Sequence, residues 1–181
     1  MGNEMYFLSI HDQYLSKIID GTKQWEFRAN PRFGILTDSE IRKGDLIFCI
    51  GTFPGNVPGP QIRCLCRVVE ILRSESMAAY FGEERSGHWI EAGCRGDWDY
   101  FKREILGVYS TAIRLEAYDI RPAVDVSVIR HRTKRQRTWK GRGFTPAREL
   151  FRYGVDGKSV PAYFREVADR ILADPHTGHL P

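Results

Sequence analysis

The apolar runs of this chain are short, and turn signals separate nearly all of them. Residues 6–10 (Tyr-Phe-Leu-Ser-Ile) have the continuous apolar character of a buried strand. Residues 46–50 repeat it after the turn signal Lys43-Gly44-Asp45. Residues 24–28 alternate cleanly: Trp25 and Phe27 face one way, and Gln24, Glu26 and Arg28 the other. Residues 62–72 read as a strand with Ile62, Cys64, Cys66 and Val68 on one side. Residues 109–120 read as another, ended by Arg121-Pro122. These strands do not alternate with long helices, so a doubly wound parallel sheet does not fit. The pattern predicts an α+β chain: a compact β-barrel of about five or six strands, short helices at its rim and a C-terminal helix.

The helices carry their own punctuation. Asp12 is placed to N-cap a helix whose apolar positions are Leu15, Ile18 and Ile19, and Asp20-Gly21 stops it. Residues 74–81 and 97–106 read as short helices, whereas 82–95 carry no clear pattern. Residues 51–60 hold three Gly and three Pro and read as a loop. Residues 146–151 read as a short helix or turn. Residues 161–173 form the better helix, with Pro161 in its first turn and Phe164, Val167, Ala168 and Ile171 on one face. Residues 1–155 are expected to form one domain, including a basic loop at 130–144. Residues 156–181 are expected to form a C-terminal helical extension and tail.

Charge is distributed unevenly. The 181 residues carry 27 Lys and Arg against 23 Asp and Glu, a net charge of +4. Seven of the basic residues fall between 130 and 142, a stretch with no acidic residue. With those seven set aside, 20 basic residues face 23 acidic ones, so a slightly acidic body carries one basic segment. That segment (Arg130, Arg132, Lys134, Arg135, Arg137, Lys140, Arg142) also holds Trp139 and Phe144. Cations meet phosphates and aromatic faces stack on unpaired bases, so it is a candidate nucleic-acid contact. Four to six such contacts to a single strand would give a slope of log K against log salt of roughly −3 to −4.

The most specific local pattern is Gly21-Thr22-Lys23-Gln24-Trp25-Glu26-Phe27-Arg28, at a helix-to-strand junction. Gly21 turns the chain, and Glu26 and Arg28 share a strand face. A lysine, a carboxylate and a guanidinium grouped in this way suit a base edge or a phosphate. An arginine beside Lys23 would also favour its neutral form, which makes it a candidate base or nucleophile. Paired charges on a solvated strand face are the plainer account.

Leu-Ser-Ile at 8–10, a helix ending Ile-Ile-Asp-Gly at 18–21, Gly-x-Lys-x-x-Glu-x-Arg at 21–28, and Lys-Gly-Asp at 43–45 before an apolar strand together resemble the ASCH domain family. The resemblance runs over roughly residues 6–153. It implies the PUA-like β-barrel fold and binding of RNA, ahead of single-stranded DNA, with a modified nucleobase as one form of ligand. Some members of the family are ribonucleases or amidohydrolases of acetylated cytidine. The amidohydrolase branch uses a lysine, matched by Lys23, and a threonine three residues later, where this chain has Glu26. The nucleophile is therefore missing, and Thr22 is off the matching position.

The sequence reading is thus a nucleic-acid-binding protein. Lys23, Glu26 and Arg28 form its cleft, and residues 130–144 hold the flanking strand. The alternative is an enzyme, a ribonuclease or nucleoside amidohydrolase, with Lys23 and Glu26 in acid–base roles. No cofactor is expected. No metal is expected either: Cys64 and Cys66 face the same way and Cys49 suits a neighbouring strand, but Cys-x-x-Cys is absent, and buried thiols explain them. Trp89 and Trp98 read as core residues. With neither a signal-like start nor a transmembrane run, the expected location is the cytoplasm, with the cysteines reduced and no membrane partner.

Overall fold

A computed structural model describes residues 3–28, 41–52, 61–94, 96–125, 144–147, 154–155 and 157–175. Its strands are β1 (Met5–His11), β2 (Trp25–Arg28), β3 (Leu46–Thr52), β4 (Gln61–Arg73), β5 (Thr111–Asp125), β6 (Phe144–Pro146), β7 (Gly154–Val155) and β8 (Lys158–Ser159). Its helices are α1 (Asp12–Ile19), α2 (Ser74–Phe81), α3 (Trp98–Phe101) and α4 (Val160–Ala173). Two 3-10 turns, Glu84–Ser86 and His88–Ala92, occupy the stretch without a clear sequence pattern, and a π turn (Lys102–Leu106) extends α3. The architecture is α+β, as expected.

Six strands form one mixed sheet in the order β2-β5-β4-β3-β1-β6, while β7 and β8 pair separately. In that sheet β1 and β3 run parallel and the other neighbours antiparallel. Both faces of the central strands are covered, which is why β1 and β3 read as continuous apolar runs. Phe7 and Phe48 point to one face and meet Phe164 of α4, edge to face, at 5.0 and 4.8 Å. Leu8, Ile10, Ile47 and Cys49 point to the other, under Leu15 and Ile18 of α1. The predicted apolar face of α4 is buried at Phe164, Val167, Ala168 and Ile171. This helix therefore shares its core with the sheet. A third cluster gathers Trp25, Phe27, Phe81 and Phe101; Trp89 and Trp98, read from the sequence as core residues, are only half-buried against its edge.

Four expectations need correction. Among the described residues the barrel is not closed: β2 and β6 remain the two ends of the hydrogen-bonded order. The outer edge of four-residue β2 meets the 88–92 turn instead, and the Gln24 N–H just before it donates to the Glu91 carbonyl at 2.8 Å. Asp12 is the first residue of α1 and its cap position falls to His11. The Asp12 carboxylate is drawn away by the Arg63 guanidinium. Ile62 does not share a face with Cys64, Cys66 and Val68, because the register shifts between Ile62 and Cys64 and turns Ile62 towards Phe48 and Phe164. Finally, β5 continues past Arg121-Pro122. Its pairing jumps from Asp119 opposite Cys64 to Val124 opposite Ile62, so Pro122 sits where the ladder asks for no N–H.

Candidate binding pocket at the sheet seam

Although β1 and β2 are far apart in the sheet order, Ser9, Ile10 and His11 from one and Glu26, Phe27 and Arg28 from the other line the same cavity of about 600 Å³. The sheet therefore curls until these strands face each other across a seam. On the outer side of β1, pairing with the described part of β6 stops at Leu8, just before the cavity-lining residues. Gly93, Cys94, Tyr100, Glu104, Ile105, Val108 and Tyr109 form the far wall.

The three charged residues of the 21–28 pattern meet in this cavity. Strand alternation sends Trp25 into the third core cluster and leaves Glu26 and Arg28 on the opposite face. The Arg28 guanidinium pairs with Glu26 Oε1 at 2.7 Å, and Lys23 Nζ lies 3.5 Å from Glu26 Oε2. Lys23 is only 5% exposed. Its ammonium donates to the Trp25 carbonyl and, at 3.3 Å, to the Ala92 carbonyl, and lies 5.4 Å from the Phe27 ring centroid. An ammonium has three donor hydrogens. Two go to backbone carbonyls and the Glu26 carboxylate lies within ion-pair range, so Lys23 acts as a tether that fixes Glu26 and the 88–92 turn.

The pocket's walls are near electroneutral. Lys23 and Arg28 balance Glu26 and Glu104, and Tyr14, Phe27, Tyr100 and Tyr109 add aromatic surface. The pattern at 21–28 did not reveal Ser9, Tyr109 or Gly93. Ser9 was hidden inside an apolar run. Its Oγ is buried and has no hydrogen-bond partner among the described residues. A buried hydroxyl left this way costs stability unless a guest supplies the bond. Gly93 carries the signal of a glycine closing a turn, and its φ is +58°. The basic and aromatic candidates Arg130, Arg132, Lys134, Arg135, Arg137, Trp139, Lys140 and Arg142 lie outside the described residues.

Behind the pocket, Glu91 braces the floor. Its Oε2 accepts from Trp25 Nε1 and from the Tyr80 hydroxyl, each at 3.2 Å, and His88 Nδ1 lies 3.5 Å from its Oε1. Burial pushes this carboxyl up, but the donations from Trp25, His88 and Tyr80 outweigh it and hold Glu91 below its ordinary value of 4.5. A depressed carboxyl stabilises the fold above the unfolded-state value and loses that contribution as pH falls. The stability gap between the parent protein and Glu91→Gln, read by urea melts, should therefore shrink as pH is lowered below 4.5.

A mixed sheet with helices packed on it and a polar, aromatic-walled cavity at its seam defines a small α+β domain. The sequence matches the ASCH domain over residues 8–121, well over half of the chain, and the protein belongs to that family. The ASCH crystal structure from Zymomonas mobilis superposes with a TM-score of 0.50 at 17% identity, over 79% of this chain and 87% of that one. A serine-to-alanine mutant of the ASCH protein from the same organism superposes with a TM-score of 0.54 at 15% identity, over 91% and 96%. At these identities the likeness speaks for the fold. No curated protein matches the sequence. Among the described residues, no helix is long and apolar enough to cross a membrane.

Proposed function

We propose that this protein binds single-stranded RNA and takes one unstacked base into the seam pocket, in a PUA-like arrangement. The observation that carries the reading is the composition of that pocket. A cavity of about 600 Å³ has room for a nucleoside, and its balanced charges and tyrosines suit an uncharged base better than a row of phosphates. In this reading Glu26 accepts from a base amino group, Arg28 donates to a base carbonyl or a nearby phosphate, and Lys23 holds Glu26 in place. The basic segment 130–142, with Trp139, holds the flanking strand. RNA is favoured over single-stranded DNA, the site is cytoplasmic, and the binding domain spans residues 1–155 with the remainder as its extension.

Fluorescence anisotropy with short labelled RNA strands tests this. Glu26→Gln should weaken binding by at least about tenfold, equivalent to about 1.4 kcal/mol, with the salt slope unchanged. Replacing Arg135 and Arg137 with alanine should instead flatten the slope by roughly 1.4, two contacts' worth. Equal affinity of parent and Glu26→Gln for all strands would sink the pocket's role. Turnover of RNA or of a modified nucleoside that disappears in a folded Lys23→Ala variant would replace the binding reading with an enzymatic one.

Ser9→Ala provides a separate check. Without ligand it should be neutral or stabilising by up to about 1 kcal/mol, because it removes an unsatisfied hydroxyl. RNA affinity should fall at the same time. A variant that is clearly destabilised in the ligand-free state would show that the hydroxyl already has a partner.

A further inference from the structure

Three of the four cysteines converge in the core, and none of the three lines the seam pocket. Cys49 on β3 stands opposite Cys64 on β4, and Cys66 follows on the same face two residues later. Cys66 Sγ lies 3.6 Å from Cys49 Sγ and 3.6 Å from Cys64 Sγ, and all three sulfurs fall within 4.8 Å of one another. Each residue is fully buried. Leu8, Leu15, Ile18 and Ile113 belong to the apolar shell around them.

Sulfurs sharing one central atom stand at about this separation. Three metal–thiolate bonds of about 2.3 Å in a trigonal arrangement place sulfurs about 4.0 Å apart. Little movement would therefore admit an ion. Zinc is a poor match because it takes four ligands in structural sites. Among the described residues no fourth Cys, His, Asp or Glu joins the cluster, and the shell around it is apolar. Soft thiolate sets with low coordination numbers select monovalent copper.

We propose that Cys49, Cys64 and Cys66 form a three-sulfur site for Cu(I). Binding forms Cu–S bonds through sulfur lone pairs. Nothing is oxidised or reduced, and any proton a thiol loses passes to solvent. The site is independent of RNA binding and of the seam pocket.

The test uses the full-length, fully reduced protein without oxygen, loaded with Cu(I) from its acetonitrile complex. One sample is loaded in the native state and another during refolding from urea, so that a closed core does not decide the result. About one copper per chain should survive desalting in at least one of these, with a ligand-to-metal absorption in the near ultraviolet. X-ray absorption should show only sulfur neighbours. Cys66→Ala and, separately, Cys49→Ala should each weaken retention by at least about tenfold, whereas Cys94→Ala should not. No retained copper in either sample overturns the proposal. So do nitrogen or oxygen neighbours in the parent protein, or retention that depends on Cys94.

Discussion

Replacing Glu26 with alanine should destabilise the ligand-free protein by about 3 kcal/mol, a loss typical of breaking a buried ion pair. For a chain of this length that corresponds to a fall in Tm of roughly 6–12 °C. The carboxylate sits between two cations, and its loss leaves Lys23 with a full charge, little solvent and only carbonyl partners. The cost belongs to the stranded charge, so removing the charge as well should recover part of it. A Lys23→Met/Glu26→Leu double variant should be more stable than the sum of the single losses allows, by about 1–3 kcal/mol. A double variant that loses the full sum would show that the two groups act independently. Glu26→Gln keeps an acceptor for Arg28 and should cost less than Glu26→Ala, so it is the variant to use for measuring RNA affinity.

This trio was legible in the sequence because local rules place it. A helix stop at Gly21, the two-residue period of a strand and the position of Lys23 at its mouth suffice to bring Lys23, Glu26 and Arg28 together. The α4 face was legible for the same reason, since its apolar spacing is a property of one helix. What escaped depends on long-range geometry. The seam exists because β1 and β2 curl towards each other across four intervening pairings, and no local pattern reports that. The turn of Ile62 away from Cys64 depends on a register shift against β5, and period-two reading assumes that no such shift occurs. The thiol cluster is an intermediate case. Cys64 and Cys66 share a face by alternation, but the arrival of Cys49 opposite Cys64 is fixed by the pairing of β3 with β4.

Gly93→Ala should be the most damaging single-methyl change near the pocket. Gly93 holds φ at +58°, and a Cβ there would lie 2.5 Å from Lys23 Cβ, 2.8 Å from Lys23 Cα and 2.9 Å from the Thr22 carbonyl oxygen. Two of these three contacts are with backbone, so no rotamer change relieves them. The residue is also anchored on both sides: its N–H donates to the Ile90 carbonyl at 3.0 Å, and its own carbonyl accepts from Lys17 Nζ at 3.0 Å. Left-handed strain and overpacking each cost about 1–3 kcal/mol, so a combined loss of about 3 kcal/mol and a Tm lower by roughly 6–12 °C are expected. Gly87→Ala separates the two contributions. Gly87 has φ of +72° with nothing within 4 Å of the added carbon, so it should lose only the strain part, about 1 kcal/mol. The difference between the two variants measures how tightly the wall carrying Gly93 presses on Lys23. Because Lys23 positions Glu26, Gly93→Ala should also weaken the proposed RNA binding, while Gly87→Ala leaves it unchanged. Equal melting temperatures for the two variants would mean that the 88–93 segment yields easily and does not fix the lysine.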